Sequence, residues 1–132
     1  MAIYNGITID NTVYDVRIVY GSLQRTAKIV EGRNAGTSLK YRKIRDVQGT
    51  SYTYTFDVEP NPANPTAYDN FFEKITTPTD YLTIVVPYGQ TTKSFDAYID
   101  SVTDKLNGKL GTYNRWGGCK VTFTSIAPVR LS

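Results

Sequence analysis

The 132 residues, 40% apolar and 13% aromatic, suffice for one core and leave little room for a second, so one domain over residues 1–132 is expected. The chain has no histidine and a single cysteine, Cys119. That removes Ser-His and Cys-His nucleophiles, thiolate-only zinc sites and an internal disulfide, so neither enzymatic activity nor a cofactor is expected. The net charge of +3 is unevenly spread. Residues 25–45 hold seven bases against Glu31, residues 57–104 hold eight acids against Lys74 and Lys93, and the stretch from Lys105 onward holds five bases and no acid. Blocks of opposite sign either draw copies of a chain together or cancel within one molecule where their strands pair.

No stretch approaches the length of a membrane span, and the first ten residues lack the basic and apolar regions of a signal peptide, so synthesis and folding in a reducing cytoplasm are expected. Residues 13–20 set Tyr14, Val16, Ile18 and Tyr20 against Asp15, Arg17 and Val19, the period of a strand. Residues 32–40, with Gly32, Asn34 and Gly36, read as a polar loop. In a strand over residues 39–47, Lys40, Arg42 and Ile44 share one face while Tyr41, Lys43 and Arg45 share the other. The bases are split between faces, which suits an edge guarded against wrong pairing better than a nucleic-acid groove.

Residues 50–58 give the clearest strand, with Tyr52, Tyr54, Phe56 and Val58 on one side and Ser51, Thr53, Thr55 and Asp57 on the other. Pro60, Pro62 and Pro65 make residues 59–65 a stiff connector. A helix over residues 66–76 follows, capped by Thr66, with Tyr68, Phe71, Phe72 and Ile75 as an apolar stripe that must dock on the sheet. Residues 81–86 (YLTIVV) suggest a strand covered on both faces; Pro87-Tyr88-Gly89-Gln90 turns it into a second strand over residues 92–102. Asp96 and Asp100 then share one strand face, but about 13 Å apart, beyond the roughly 9.5 Å limit of an inverting carboxylate pair. Residues 104–118, with Gly108, Gly111, Gly117 and Gly118, read as a flexible loop, and residues 119–127 as a final strand in which Cys119 is a small buried hydrophobe. Trp116 is placed at the bottom of the core, because tryptophan is highly buried on average. The fold class is mainly β: an antiparallel sandwich or half-barrel with one packed helix.

Pieces spread over nearly the whole chain carry a resemblance. They are NGITI at residues 5–9, EGRNAG at 31–36, RDVQGTSYTY at 45–54 and the short helix over 68–75. VPYGQ at 86–90, FDAYIDSV at 95–102 and WGGCKVTF at 116–123, with Pro128 and Arg130 behind, complete the set. Together they resemble small structural proteins from the tails of bacteriophages with long, non-contractile tails, similar in layout to tail-tube and distal-tail domains. The resemblance implies a virion protein made in the bacterial host cytoplasm. It would assemble in rings, usually hexameric, with itself and other tail proteins, as a tube, completion or baseplate component. It also implies that residues 32–40 or 104–118 reach a neighbouring subunit and that the charge blocks meet across interfaces. Loop position and charge select Arg33, Asn34, Lys40, Arg42, Lys43, Arg45, Asp96, Asp100 and Asp104 as candidate interface residues.

Two other functions fit the residues. A carbohydrate- or cell-surface-binding domain would use Trp116 and Tyr113 as a stacking platform. A nucleic-acid-binding domain would use the basic block at 25–45. Neither membrane insertion nor a small-molecule substrate is expected.

Overall fold

A computed structural model describes residues 5–19, 21–31, 36–37, 43–44 and 47–131 of the chain. It opens with β1 (Asn5–Ile9) and β2 (Thr12–Ile18), joined by Asp10 and Asn11 at φ 51° and 67°. Asp and Asn enter this left-handed region more readily than other side chains, which is what a two-residue hairpin turn demands. The Asp10 carboxylate is used twice. It accepts the Thr83 backbone N–H at 2.9 Å and pairs with Lys74 Nζ at 2.8 Å, and these contacts, Lys74 foremost, hold its pKa below the ordinary value.

β3 (Gln24–Glu31) follows, and β4 (Gly36–Thr37) pairs with β5 (Lys43–Ile44) in a small separate sheet. β6 (Val47–Pro60) is the longest strand, and the expected alternation holds: Tyr52, Tyr54, Phe56 and Val58 are all buried. After α1 (Pro65–Ile75) come β7 (Leu82–Tyr88), β8 (Thr91–Tyr98), β9 (Thr103–Leu110), β10 (Tyr113–Ser125) and β11 (Arg130–Leu131). All pairings are antiparallel.

The strands β6, β2, β1, β7, β8 and β10 neighbour one another in that order, and β10 returns to β6. The sheet is therefore a closed six-stranded barrel with additional strands outside it, rather than the expected sandwich or half-barrel. Closure is possible because β6 and β10, at 14 and 13 residues, are long enough to change neighbours along their length. One edge of β6 carries β2 and then β3; the other carries β10 and then β11. Each line is interrupted, and each interruption is patched by a serine. Ser22 Oγ accepts the Asp57 N–H at 3.1 Å while donating to the Val19 carbonyl, and Ser125 Oγ accepts the Tyr52 N–H at 3.2 Å. Ser125 is only 6% exposed. Ser125→Ala leaves the Tyr52 N–H without this acceptor inside the fold and is expected to lower stability by about 1–3 kcal/mol in urea titration.

α1 begins with Pro65, whose missing N–H is harmless in a first turn; Asn64 precedes it without a side-chain cap. The start expected at Thr66 is corrected accordingly. Ala67, Tyr68, Phe71 and Ile75 are buried, with Phe71 edge-on to Tyr14 of β2 at 6.1 Å. Phe72, expected in that stripe, is only half-buried. Leu82, Ile84 and Val86 of β7 point into the barrel while Thr83 and Val85 are half-exposed, so burial alternates where two covered faces were expected. A barrel wall has its fully buried side chains on the inside. The β7–β8 turn falls at Gly89 (φ 62°) and Gln90, where the sequence placed it.

Residues 104–118 are a hairpin rather than a flexible loop: β9 and β10 pair around Gly111 (φ 64°) and Thr112. At Gly117 a Cβ would fall 2.5 Å from Asn107 Nδ2, so the glycine permits this close strand approach. The register shifts between Gly117 and Lys120, and from there β10 enters the core. Cys119 is fully buried, and burial pushes its thiol up to about 11, as fits a small core hydrophobe. Phe56 and Phe123 stack at 5.9 Å in the middle of the barrel.

Candidate functional site

Two thin β-arms leave the barrel. Along β3, Gln24 through Ile29 are exposed on both faces, and along β9 so are Thr103, Lys105, Leu106, Asn107 and Lys109. Ile29 and Leu106 are each 50% exposed. Neither segment has an apolar face to bury, so neither is held by core packing; the backbone ladders to β6 and β10 hold them.

At the β3 end of the barrel, Arg25, Ala27 and Ile29 occupy one strand face and, with Thr50, Tyr52 and Tyr88, line a groove of about 530 Å³ that contains no acid. Arg25 and Lys93 both lie against the Tyr88 ring, at 5.2 and 4.7 Å from its centroid. Behind them the Tyr52 and Tyr88 hydroxyls are 3.2 Å apart, and Tyr54 donates to the Pro87 carbonyl at 2.8 Å. Burial raises the Tyr54 phenol above its usual value. The result is a cationic, aromatic surface with its rings fixed from beneath.

At the other end, α1 and the β9–β10 hairpin enclose a cleft of about 400 Å³ lined by Tyr68, Asp69, Phe72, Glu73, Asp104 and Trp116. It holds three carboxylates and no base. Tyr68, buried, donates to Asp104 Oδ2 at 2.6 Å; burial, reinforced by that carboxylate, raises its phenol well above the usual value. Trp116 is 36% exposed and corrects the expectation that it closes the core. Asn114 and Arg115 are exposed like Trp116, and β10 turns into the interior at the Gly117–Cys119 bend that follows them. A smaller recess of about 190 Å³ on the same ring adds Thr66, Thr112 and Asn114.

Of the expected interface residues, Arg33, Asn34, Lys40, Arg42 and Arg45 lie outside the described residues. Lys43 is in β5, opposite Thr37. Asp96 accepts the Thr83 hydroxyl at 2.7 Å between β7 and β8. Asp100 lies exposed in the connection after β8, which ends at Tyr98; the two acids therefore do not share a strand. Asp104 alone reaches the acidic cleft. Tyr113 opens β10 opposite Leu110 at the hairpin tip.

Sequence reasoning missed the basic groove altogether. Its parts come from four strands, β3, β6, β7 and β8, and β3 shows no alternation to announce it. The Lys74–Asp10 pair does not join the basic block to the acidic one. Among the described residues no helix is long and apolar enough to cross a membrane. No protein-family model, curated protein or solved structure matches this chain.

Proposed function

We propose that the chain is a non-enzymatic structural subunit of a bacteriophage virion, assembling with copies of itself and other proteins in the tail as a tube, completion or baseplate component. The observation that carries the self-assembly is its surface. Its arms β3 and β9 are bare on both faces, and Ile29 and Leu106, one on each, are 50% exposed. Edge strands of this kind are ready templates for pairing with another chain. The phage assignment itself is supported by the sequence resemblance. Mass in solution across a concentration series, with micrographs of the largest species, tests it: rings or tubes are expected, and a monomer at every concentration would sink self-assembly.

A carbohydrate- or cell-surface-binding domain is the second reading, favoured by Trp116 standing half-open beside Asn114 and Asp69. It predicts a shift of Trp116 fluorescence with oligosaccharides, which the assembly reading does not. The third reading, nucleic-acid binding by the basic block, has less support, because Arg25 and Lys28 fall on opposite faces of β3.

A further inference from the structure

We propose that copies of this chain associate head to tail, the basic tyrosine groove of one seating against the acidic Trp116 cleft of the next. This rests on the self-assembly proposed above and names the two surfaces that meet.

The two faces differ in sign and are alike in kind. Asp69 and Glu73 are one helical turn apart on α1, a spacing at which like charges repel, and Asp104 adds a third carboxylate across the cleft. Lys74, next to Glu73, is turned to Asp10, and Lys105, next to Asp104, runs along Gly118. At the other end Arg25 and Lys93 crowd one tyrosine ring with no acid in the groove. Each cluster carries charge of one sign that the other would neutralise. Each also presents apolar area for the centre of a contact: Ile29 and Tyr88 on one side, Trp116 and Phe72 on the other. Aromatic and arginine side chains are the usual anchors of such contacts.

Placement makes the contact head to tail. Tyr52 borders the basic groove, while Val58 pairs with Cys119, three residues from Trp116. Tyr52 and Val58 are about 20 Å apart along β6 at ~3.3 Å per residue. Each copy therefore carries both halves at opposite ends, and a contact made end to end is heterologous and propagates into a ring or a filament.

Charge reversal tests it. Asp69→Lys with Glu73→Lys leaves both faces basic; Arg25→Glu with Lys93→Glu leaves both acidic. Each double variant alone should need at least tenfold more protein for half-assembly than the wild type. Mixed in equal amounts they should assemble again, alternating along the chain. Lys28→Glu, on the opposite face of β3, should assemble like the wild type. Circular dichroism melts check that each barrel folds; if Arg25→Glu does not, Lys93→Glu alone replaces the pair.

Wild-type assembly with both double variants assembling equally well would overturn the pairing and leave the tail reading intact. A mixture that stays monomeric would overturn it too. Unchanged assembly with lost retention on heparin would reassign the basic groove to a polyanion. A wild-type chain monomeric throughout overturns both proposals.

Discussion

Phe71→Ala is expected to remove about 3–5 kcal/mol of folding stability, the loss typical of a phenylalanine deleted from a packed core. Phe71 is fully buried and edge-packs on Tyr14, so its ring is what seats α1 on β2. The helix has 11 residues and no side-chain N-cap, too little to persist without that seat. Against a total stability of about 5–15 kcal/mol the loss is large, and it reaches the cleft, because Asp69, Phe72 and Glu73 are placed by the same helix. Urea titration followed by circular dichroism measures the total, and Trp116 fluorescence reports the cleft. Phe72→Ala, at a half-exposed position, serves as the comparison and should lose far less. Equal losses at the two positions would mean that the helix is not held by its buried face.

Tyr68→Phe is the second large effect. It keeps the ring in the core and deletes only the hydroxyl that donates to Asp104 at 2.6 Å. Hydrogen bonds to charged groups contribute about 1.5–3 kcal/mol, and the short distance marks this as a charge-assisted one. Asp104 is half-exposed and regains water when the phenol is removed, which places the expected loss near the lower end. A double-mutant cycle with Asp104→Asn isolates the bond. The two substitutions should be clearly less than additive; strict additivity would show that the pair contributes nothing as a pair.

How much of this was legible in the sequence depended on whether a segment has an inside. β6 was legible because Tyr52, Tyr54, Phe56 and Val58 face the core while their neighbours do not. The β7–β8 hairpin was legible from Pro87-Tyr88-Gly89, and the helix from Tyr68, Phe71 and Ile75. Among the described side chains, β9 and β10 up to Trp116 have no buried face. Lys105, Leu106, Asn107 and Lys109 are all exposed, so polar, glycine-punctuated strands looked like a loop. The Asp10-Asn11 turn was there to be read, since both residue types accept a positive φ, yet no apolar alternation drew attention to it. The two grooves were out of reach for another reason. Asp104 meets Asp69 and Glu73 only because β9 starts beside α1, and Arg25 meets Lys93 only because the β7–β8 turn folds back to β3. Such meetings are set by barrel closure, which leaves no local trace.

That closure also governs how the chain becomes a barrel at all. The β6–β10 seam joins residues about sixty positions apart at Val58 and Cys119 and about seventy apart at Thr53 and Thr124, and loops of that length must be gathered before any ladder bond compensates for the lost freedom. Most of the remaining wall is assembled from shorter connections: β1 with β2, and β7 with β8. During synthesis β6 is made before β10, and until β10 follows, the edge it will occupy is open. The β1–β7 joint, pairing Thr8 with Val85, is as long-range as the seam, so these two joints are expected to close after the hairpins. In that interval an open strand with an aromatic face is exposed to the cell, and copies made close together have their first opportunity to meet before either barrel is sealed.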